Sequence, residues 1–428
     1  MMNNFSLSKQ FYRYDNVKQE SIGFYLGFLV WPFGILLAAF KYWRRPWAKN
    51  VFWLFCVFFG STFIISELGG ADSDRYARLF IQYAHSDMSL SELWNSFYML
   101  GSDYIDIASP LITYIVSRFT DNPNVLFTVF GFIFGFFYSR NIWSIMQRVE
   151  WKIPFIAAIY LFTFAIINPI WNINGFRMWT AAQIFLYGCL GYFFDGNNRR
   201  LAFAFVAIFF HFSFILPLII LIGYVFVKNR LTPYYVVFLI TFFMKEIDLT
   251  IMQAYVDYLP GILRAKVTNY TNPEYAESIS LMQQSLNWYV TFSNTVLTYV
   301  VLITVSTVYF FYKKQLEDNK ELMRLLCYSL LLYSFANVFS FIPSMGRFHT
   351  VANTFMFAFM AIFLANQYKN NAIQLIQFVC IPLIGLFAIV NLRSGMDYFG
   401  FLTVIGNPFS VALVTDSQPL IDIIKRLL

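Results

Sequence analysis

Apolar runs of membrane-spanning length alternate with short polar connections along nearly the whole chain. The first run is about Ile22 to Phe40. It lacks the short layout and small-residue cleavage site of a secretion signal, so it is expected to stay as a span. Lys41, Arg44, Arg45 and Lys49 follow it, and such clusters mark cytoplasmic loops. Val51 to Ile65 then crosses outward. The stretch of about 67–106 is polar and acidic, with Asp72, Asp74, Asp87, Glu92, Asp103 and Asp106, and is expected to face outside. Ile107 to Phe119 is too short for a crossing and reads as a re-entrant or surface-lying helix.

The alternation continues. Val125 to Ile142 returns to Arg140, Arg148 and Lys152. Pro154 to Ile167 goes out, and Arg177 to Phe194 comes back to Arg199 and Arg200. Leu201 to Val227 is flanked by cations at both ends, Arg199 and Arg200 before it, Lys228 and Arg230 after. One span would put those cations on opposite sides, and two full spans need about 40 residues. The pattern predicts two short helices meeting at a break near His211, Ser213 and Pro217, with the break held in protein or in a polar cavity.

Tyr234 to Met244 leads to a second external loop, about 245–284. Trp288 to Phe311 comes in to the charged stretch from Lys313 to Arg324. Leu325 to Phe341, His349 to Leu364 and Ile373 to Val390 complete the series. A weakly amphipathic tail, about 393–428, holds Gly406-Asn407-Pro408, and its charge pattern assigns it to neither side. The expected fold is all-α: a polytopic transmembrane helical bundle of roughly a dozen spans, two of them short. Residues 1–428 form a single integral membrane domain, since no polar stretch is long enough for a separate one.

Composition agrees. Only 12% of the 428 residues are charged, where a soluble domain carries about 25%, and mean hydropathy is +0.58. The net charge of +7 fits the cytoplasmic excess of Lys and Arg in a membrane protein, and no nucleic acid is expected as a partner. Cys56, Cys189, Cys327 and Cys380 each sit in an apolar run without metal-ligand spacing, so no metal site is expected.

Four places carry candidate chemistry, because polar and ionisable groups at membrane depth are costly. The first is Gly69-Gly70-Ala71-Asp72-Ser73-Asp74-Arg75-Tyr76, followed by Tyr83. It reads either as a solvated turn or as a carbohydrate or phosphate site. It lacks the Gly and the distal Glu of a calcium-binding EF-hand loop. The second is Asn172-Ile173-Asn174-Gly175-Phe176-Arg177, where an Arg opening a helix either snorkels to the interface or grips a phosphate with its planar fork. The third is His211-Phe212-Ser213 at the helix break. The fourth is Gly346-Arg347-Phe348-His349, on a short turn after Pro343. Two outer-face arginines could converge on one diphosphate.

Taken in order, Asp74…Tyr76…Tyr83, Asn174-Gly175-x-Arg177, His211-x-Ser213 and Gly346-Arg347-Phe348 resemble the EpsG-like branch of Wzy-type polysaccharide polymerases. The similarity is strongest from about Pro169 to Ile219. The tail, with Gly406-Asn407-Pro408-Phe409 and Pro419-Leu420-Ile421-Asp422, is also similar to the ends of such proteins. One departure is Met178-Trp179 in place of the usual short polar residue after the Arg.

The resemblance implies a glycosyltransferase of GT-C-like architecture in the bacterial inner membrane, its active site facing the periplasm. It would join undecaprenyl-diphosphate-linked repeat units to a growing chain, without metal or other cofactor. A chain-length regulator protein is an implied partner, beside the lipid bilayer. The expected catalytic residues are Asp72, Asp74 and His211. The expected diphosphate- and sugar-binding residues are Arg177, Arg347, Arg75, Asn174, Tyr76, Tyr83 and Ser213. Tyr104, Tyr270, Tyr275 and Trp288 are expected to stack on sugar faces. An O-antigen ligase, another membrane transferase or a lipid-linked glycan flippase are the alternatives.

Overall fold

The computed structural model describes residues 20–65, 71–97, 106–149, 153–244, 286–340, 344–366, 371–413 and 418–427, with a few isolated positions between. Every regular element of the described residues is helical. In chain order they are α1 (Glu20–Val30), α2 (Pro32–Lys41), α3 (Ala48–Ser61), α4 (Asp72–Ala84), α5 (Leu90–Ser96), α6 (Ala108–Ser117), α7 (Pro123–Met146) and α8 (Phe155–Ile167). A 3-10 turn (Ile170–Gly175) leads to α9 (Phe176–Asp195), and α10 (Leu201–Phe210), α11 (Ile215–Val227) and α12 (Leu231–Phe242) follow. Next come α13 (Trp288–Asp318), α14 (Lys320–Phe339), α15 (Arg347–Asn366) and α16 (Asn371–Gly395). The short α17 (Phe401–Ile405), α18 (Pro408–Leu413) and α19 (Leu420–Leu427) end the chain.

Among the described residues, six helical stretches are long and apolar enough to cross a membrane: α7, the run Phe155–Asp195, α13, α14, α15 and Ile376–Gly395 of α16. The run Phe155–Asp195 has 41 residues, about twice what a crossing needs. It is broken where Asn168 leaves helical geometry and Pro169 extends. The apolar helices α1, α2, α3, α6, α10, α11 with its leading turn and α12 are shorter.

One expected span is divided. Ile22 to Phe40 reads as continuous in sequence, but Trp31 lies at φ −149°, ψ 85° between α1 and α2. Pro32 is the cause: its ring disfavours helical geometry at the preceding residue, while its own missing N–H costs nothing at a helix start. The expected break in Leu201–Val227 is present. His211 at φ −150°, ψ 113° separates α10 from the turn Phe212–Phe214 that opens α11. α6 is a ten-residue helix packed on α4, in keeping with its short apolar run.

Helix ends follow local chemistry. Asn122 accepts the Asn124 N–H at the start of α7, and Asn319 accepts the Leu322 N–H at the start of α14. Gly196 ends α9 in the left-handed region at φ 63°, where a side chain would be strained.

α15 is the axis of the bundle: every residue from Val351 to Ala365 is buried, against α8, α13 and α14. Around it, α3 and α7 pack most closely, along small residues. A Cβ on Gly60 would lie 2.2 Å from the Phe127 carbonyl oxygen, and one on Gly131 2.4 Å from that of Cys56. Close backbone approach gives dispersion contact that lipid cannot replace. The tail returns to the ends of α2 and α3: Thr62 and Thr403 hydroxyls are 2.7 Å apart, and Trp31 Nε1 donates to the Val404 carbonyl at 2.7 Å.

Candidate functional site

Five segments meet at one end of the bundle: the N-terminus of α4, the turn Ile170–Gly175 with the first turn of α9, the break at His211, Asp106 before α6, and Tyr398 after α16. Amide side chains set the junction. Asn174 Oδ1 accepts the Ser73 N–H at 3.1 Å, and Asn174 Nδ2 donates to the Tyr398 hydroxyl at 3.0 Å. Ala71 gives α4 no side-chain cap, so Asn174 satisfies from another element one of the N–H groups a helix start leaves open. The tail residue Tyr398 is thereby placed beside the first polar loop.

Arg177, in the first turn of α9, is held in place. Its Nη1 donates to Asp106 Oδ2 at 3.1 Å, and its Nε to the Tyr76 hydroxyl at 3.3 Å. The Tyr76 phenol is buried, and burial pushes its pKa up, so it stays neutral as a partner for the guanidinium. The other oxygen of Asp106 accepts the Phe212 N–H at 2.7 Å. One buried carboxylate therefore ties α9 to the break between α10 and α11. At the break, His211 Nδ1 accepts the Ser213 N–H at 3.4 Å and lies 2.7 Å from Ser213 Oγ.

The charges of Asp106, Arg177, Arg347 and Asp72 all act on His211. Arg347, at the start of α15, is exposed and has no carboxylate partner among the described residues. The charges of Arg177 and Arg347 thus bear on one histidine from two different helices.

The acidic cluster divides. Asp72 acts on Arg177, His211, Tyr76 and Tyr398. Its Oδ2 lies 3.6 Å from where a Cβ on Gly175 would sit. Arg75 Nη2 donates to its other oxygen at 2.9 Å and stands over the Tyr76 ring. Asp74, two residues on, turns away and pairs with the exposed Arg78 at 3.2 Å. Tyr83 is also apart from the site. It is buried edge-on against Tyr114 in a small separate cluster with Leu93, because residue 83 on α4 faces α6 rather than α9.

Beside Gly175 opens a cavity of about 220 Å³. Trp171, Trp179, Asn172, Asn391, Ser394 and Tyr398 are among its lining residues. Two indoles with amides and hydroxyls between them suit the alternating apolar and hydroxylated faces of a sugar.

The sequence pattern of the EpsG family matches residues 51–403, most of the chain. The chain belongs to the EpsG family. That family is one of Wzy-type polymerases, and with the apolar helices it makes this a membrane protein of polysaccharide synthesis. No curated protein and no solved structure matches the chain.

Within this EpsG-family chain, sequence reasoning missed three things at the site. Asp106 read as one more acid in a polar loop; its position just before α6 was the available signal, and its partners lie 71 and 106 residues away. Trp171 and Trp179 line the cavity, whereas Trp288, expected to stack on sugar, is 75% exposed at the start of α13 and does not line it. Tyr398 joins the junction from the tail. Gly69, Gly70, Tyr104, Tyr270, Tyr275 and most of the second external loop lie outside the described residues.

Proposed function

We propose that this protein is a membrane glycosyltransferase that polymerises undecaprenyl-diphosphate-linked oligosaccharide repeat units at the periplasmic face of the bacterial inner membrane. In the step envisaged, a hydroxyl of the incoming unit attacks the anomeric carbon of the growing chain. The bond from that carbon to the diphosphate breaks, the lipid diphosphate leaves with the electron pair, and a base takes the hydroxyl proton.

The observation that carries the reading is that Arg177 is fixed by Asp106 and Tyr76 beside the break at His211, with the charge of Arg347 acting on the same histidine from α15. A leaving diphosphate gathers negative charge, and fixed donors set in place beforehand stabilise it without reorganisation. Arg177 Nη2 has no hydrogen-bond partner among the described residues, while Nη1 and Nε hold the group in position. Arg347, exposed and without a carboxylate partner among the described residues, supplies the second charge. Asp72 and His211 are the candidate bases, since both lie within this field and a base must reach the attacking hydroxyl. Arg75, Tyr76, Asn174 and Ser213 orient these groups. The cavity between Trp171 and Trp179 would hold a sugar ring.

Surface glycan from cells lacking this protein tests the proposal. Single repeats reaching the surface without long polymer are expected. Loss of all surface glycan would instead indicate a flippase, and normal polymer left unattached to its final acceptor would indicate a ligase.

A further inference from the structure

The opposite end of the bundle holds a second built cavity. It lies about 27 Å along α9 from Arg177, near the full thickness of a bilayer core. Its volume is about 270 Å³, and it sits between the start of α3, the end of α7 and the end of α9. Lys49, Arg140, Arg148 and Arg200 line it, against a single carboxylate, Asp195. That carboxylate is already used: Arg148 pairs with it at 2.9 Å and with Glu321 at 3.5 Å.

The other three cations have no carboxylate partner among the described residues. Arg140 donates only to neutral oxygens, Ser139 Oγ at 2.8 Å and Asn50 Oδ1 at 3.0 Å. Arg200 lies over the Tyr187 ring at 4.4 Å, its stem packed where a Cβ on Gly191 would clash. Three cations gathered at the rim of an apolar bundle repel one another unless an anion joins them.

A second observation points the same way. Asn141 lines the cavity and is 1% exposed. Its Nδ2 donates to the Gln183 backbone carbonyl at 2.9 Å and to Gln183 Oε1 at 2.8 Å, which fixes the amide orientation. Its Oδ1 is left buried with no partner among the described residues. A buried carbonyl oxygen without a donor costs about as much as a lost hydrogen bond, so the site calls for a ligand that brings a donor. An anion that also carries hydroxyl groups satisfies both demands.

We infer that this cavity binds the headgroup of an anionic glycerophospholipid, its phosphate held by Lys49, Arg140 and Arg200 and a glycerol hydroxyl donating to Asn141 Oδ1. Lipid is favoured over a free phosphate ester by the surroundings. Arg140 stacks on the Phe136 ring at 4.2 Å and the Trp53 ring at 4.7 Å, and the neighbouring Phe132 is 48% exposed. The cavity therefore lies beside an aromatic surface on which acyl chains can rest. Basic pockets between membrane helices recognise phospholipid headgroups by this combination.

The test uses the purified full-length protein in detergent, with thermal melting and native mass spectrometry as readouts, so it is independent of polymerase activity. Phosphatidylglycerol is expected to raise the melting temperature and to remain bound, while phosphatidylcholine and inorganic phosphate do neither. R140Q and R200Q should each weaken retention of phosphatidylglycerol about fivefold. K49Q provides a third variant should either arginine change prevent folding. Equal effects of phosphatidylglycerol and phosphatidylcholine, an equal effect of inorganic phosphate, or full retention in all folded variants would overturn the inference.

Discussion

Asp106 receives Arg177 on one carboxylate oxygen and the Phe212 N–H on the other. Through that one side chain, the first turn of α9 and the break between α10 and α11 hold a common position. The two oxygens carry different duties. One fixes a charge, and the other satisfies a backbone donor that the broken helix cannot. Asp106→Ala should therefore destabilise the protein by about 1–3 kcal/mol through the unpaired groups it leaves. Asp106→Asn keeps an oxygen for Phe212 but loses the charge facing Arg177. It should cost less stability than alanine and still impair polymer formation. Melting curves of the purified variants, beside polymer ladders from the same cells, separate the two effects; equal losses of stability would contradict this division.

Asp72 and Asp74 look equivalent in sequence and are not so in space. Asp72 lies beside Gly175 and acts on Arg177 and His211, whereas Asp74 pairs outward with Arg78. If Asp72 serves as base, Asp72→Asn should lower polymerisation by a factor of about 10²–10⁴. Asp74→Asn, which loses only a solvent-screened pair, should leave it unchanged. In vitro extension of a lipid-linked repeat unit by both variants would decide, and an inactive Asp74→Asn with a working Asp72→Asn would reverse the assignment.

The seam between α3 and α7 has no room for a side chain at Gly60 or Gly131, where backbone carbonyls lie 2.2 and 2.4 Å from the Cβ position. Backbone cannot rotate aside as a flexible side chain can. Gly131→Ala should destabilise by roughly 1–3 kcal/mol as the helices part. Gly223→Ala, on α11 with nothing near its Cβ position, is the control and should cost nothing by this route. Detergent-solubilised yield and melting temperature of the two variants measure the difference.

Much of this molecule was legible in its sequence because helix signals are local. The break at His211 followed from the length of Leu201–Val227 and the cations at both ends. The short run Ile107–Phe119 reads as too short for a crossing, and α6 within it has ten residues. Partners distant in sequence were not legible. Nothing around Asp106 foretells that it meets Arg177, and nothing around Asn174 foretells that it caps α4. Those contacts depend on how helices pack, and packing among uniformly apolar surfaces leaves little trace in periodicity. Tyr83 shows the converse: its place in a motif suggested a role at the site, yet its position on α4 turns it toward Tyr114.

Arg177 and Arg347 carry the sharpest prediction. Arg177 is held at Nη1 and Nε by Asp106 and Tyr76, so its position is set before any ligand arrives. Arg347 is exposed and without a carboxylate partner among the described residues, and both charges act on His211. A lysine at 177 has its three donors on one nitrogen and could not hold Asp106 and Tyr76 while presenting a donor in the fixed plane that the guanidinium provides. Arg177→Lys should therefore fail nearly as badly as Arg177→Ala, with a loss of about 10² or more in rate. At 347, where no partner fixes the fork, lysine should retain more activity than alanine if the requirement is charge alone, and no more than alanine if a two-point grip on the diphosphate is required. Polymer length and amount from cells carrying each variant, at matched protein levels, read out both cases. Wild-type polymer from Arg177→Ala and Arg347→Ala alike would remove the diphosphate clamp, and with it the main support for the polymerisation chemistry proposed at this end of the bundle.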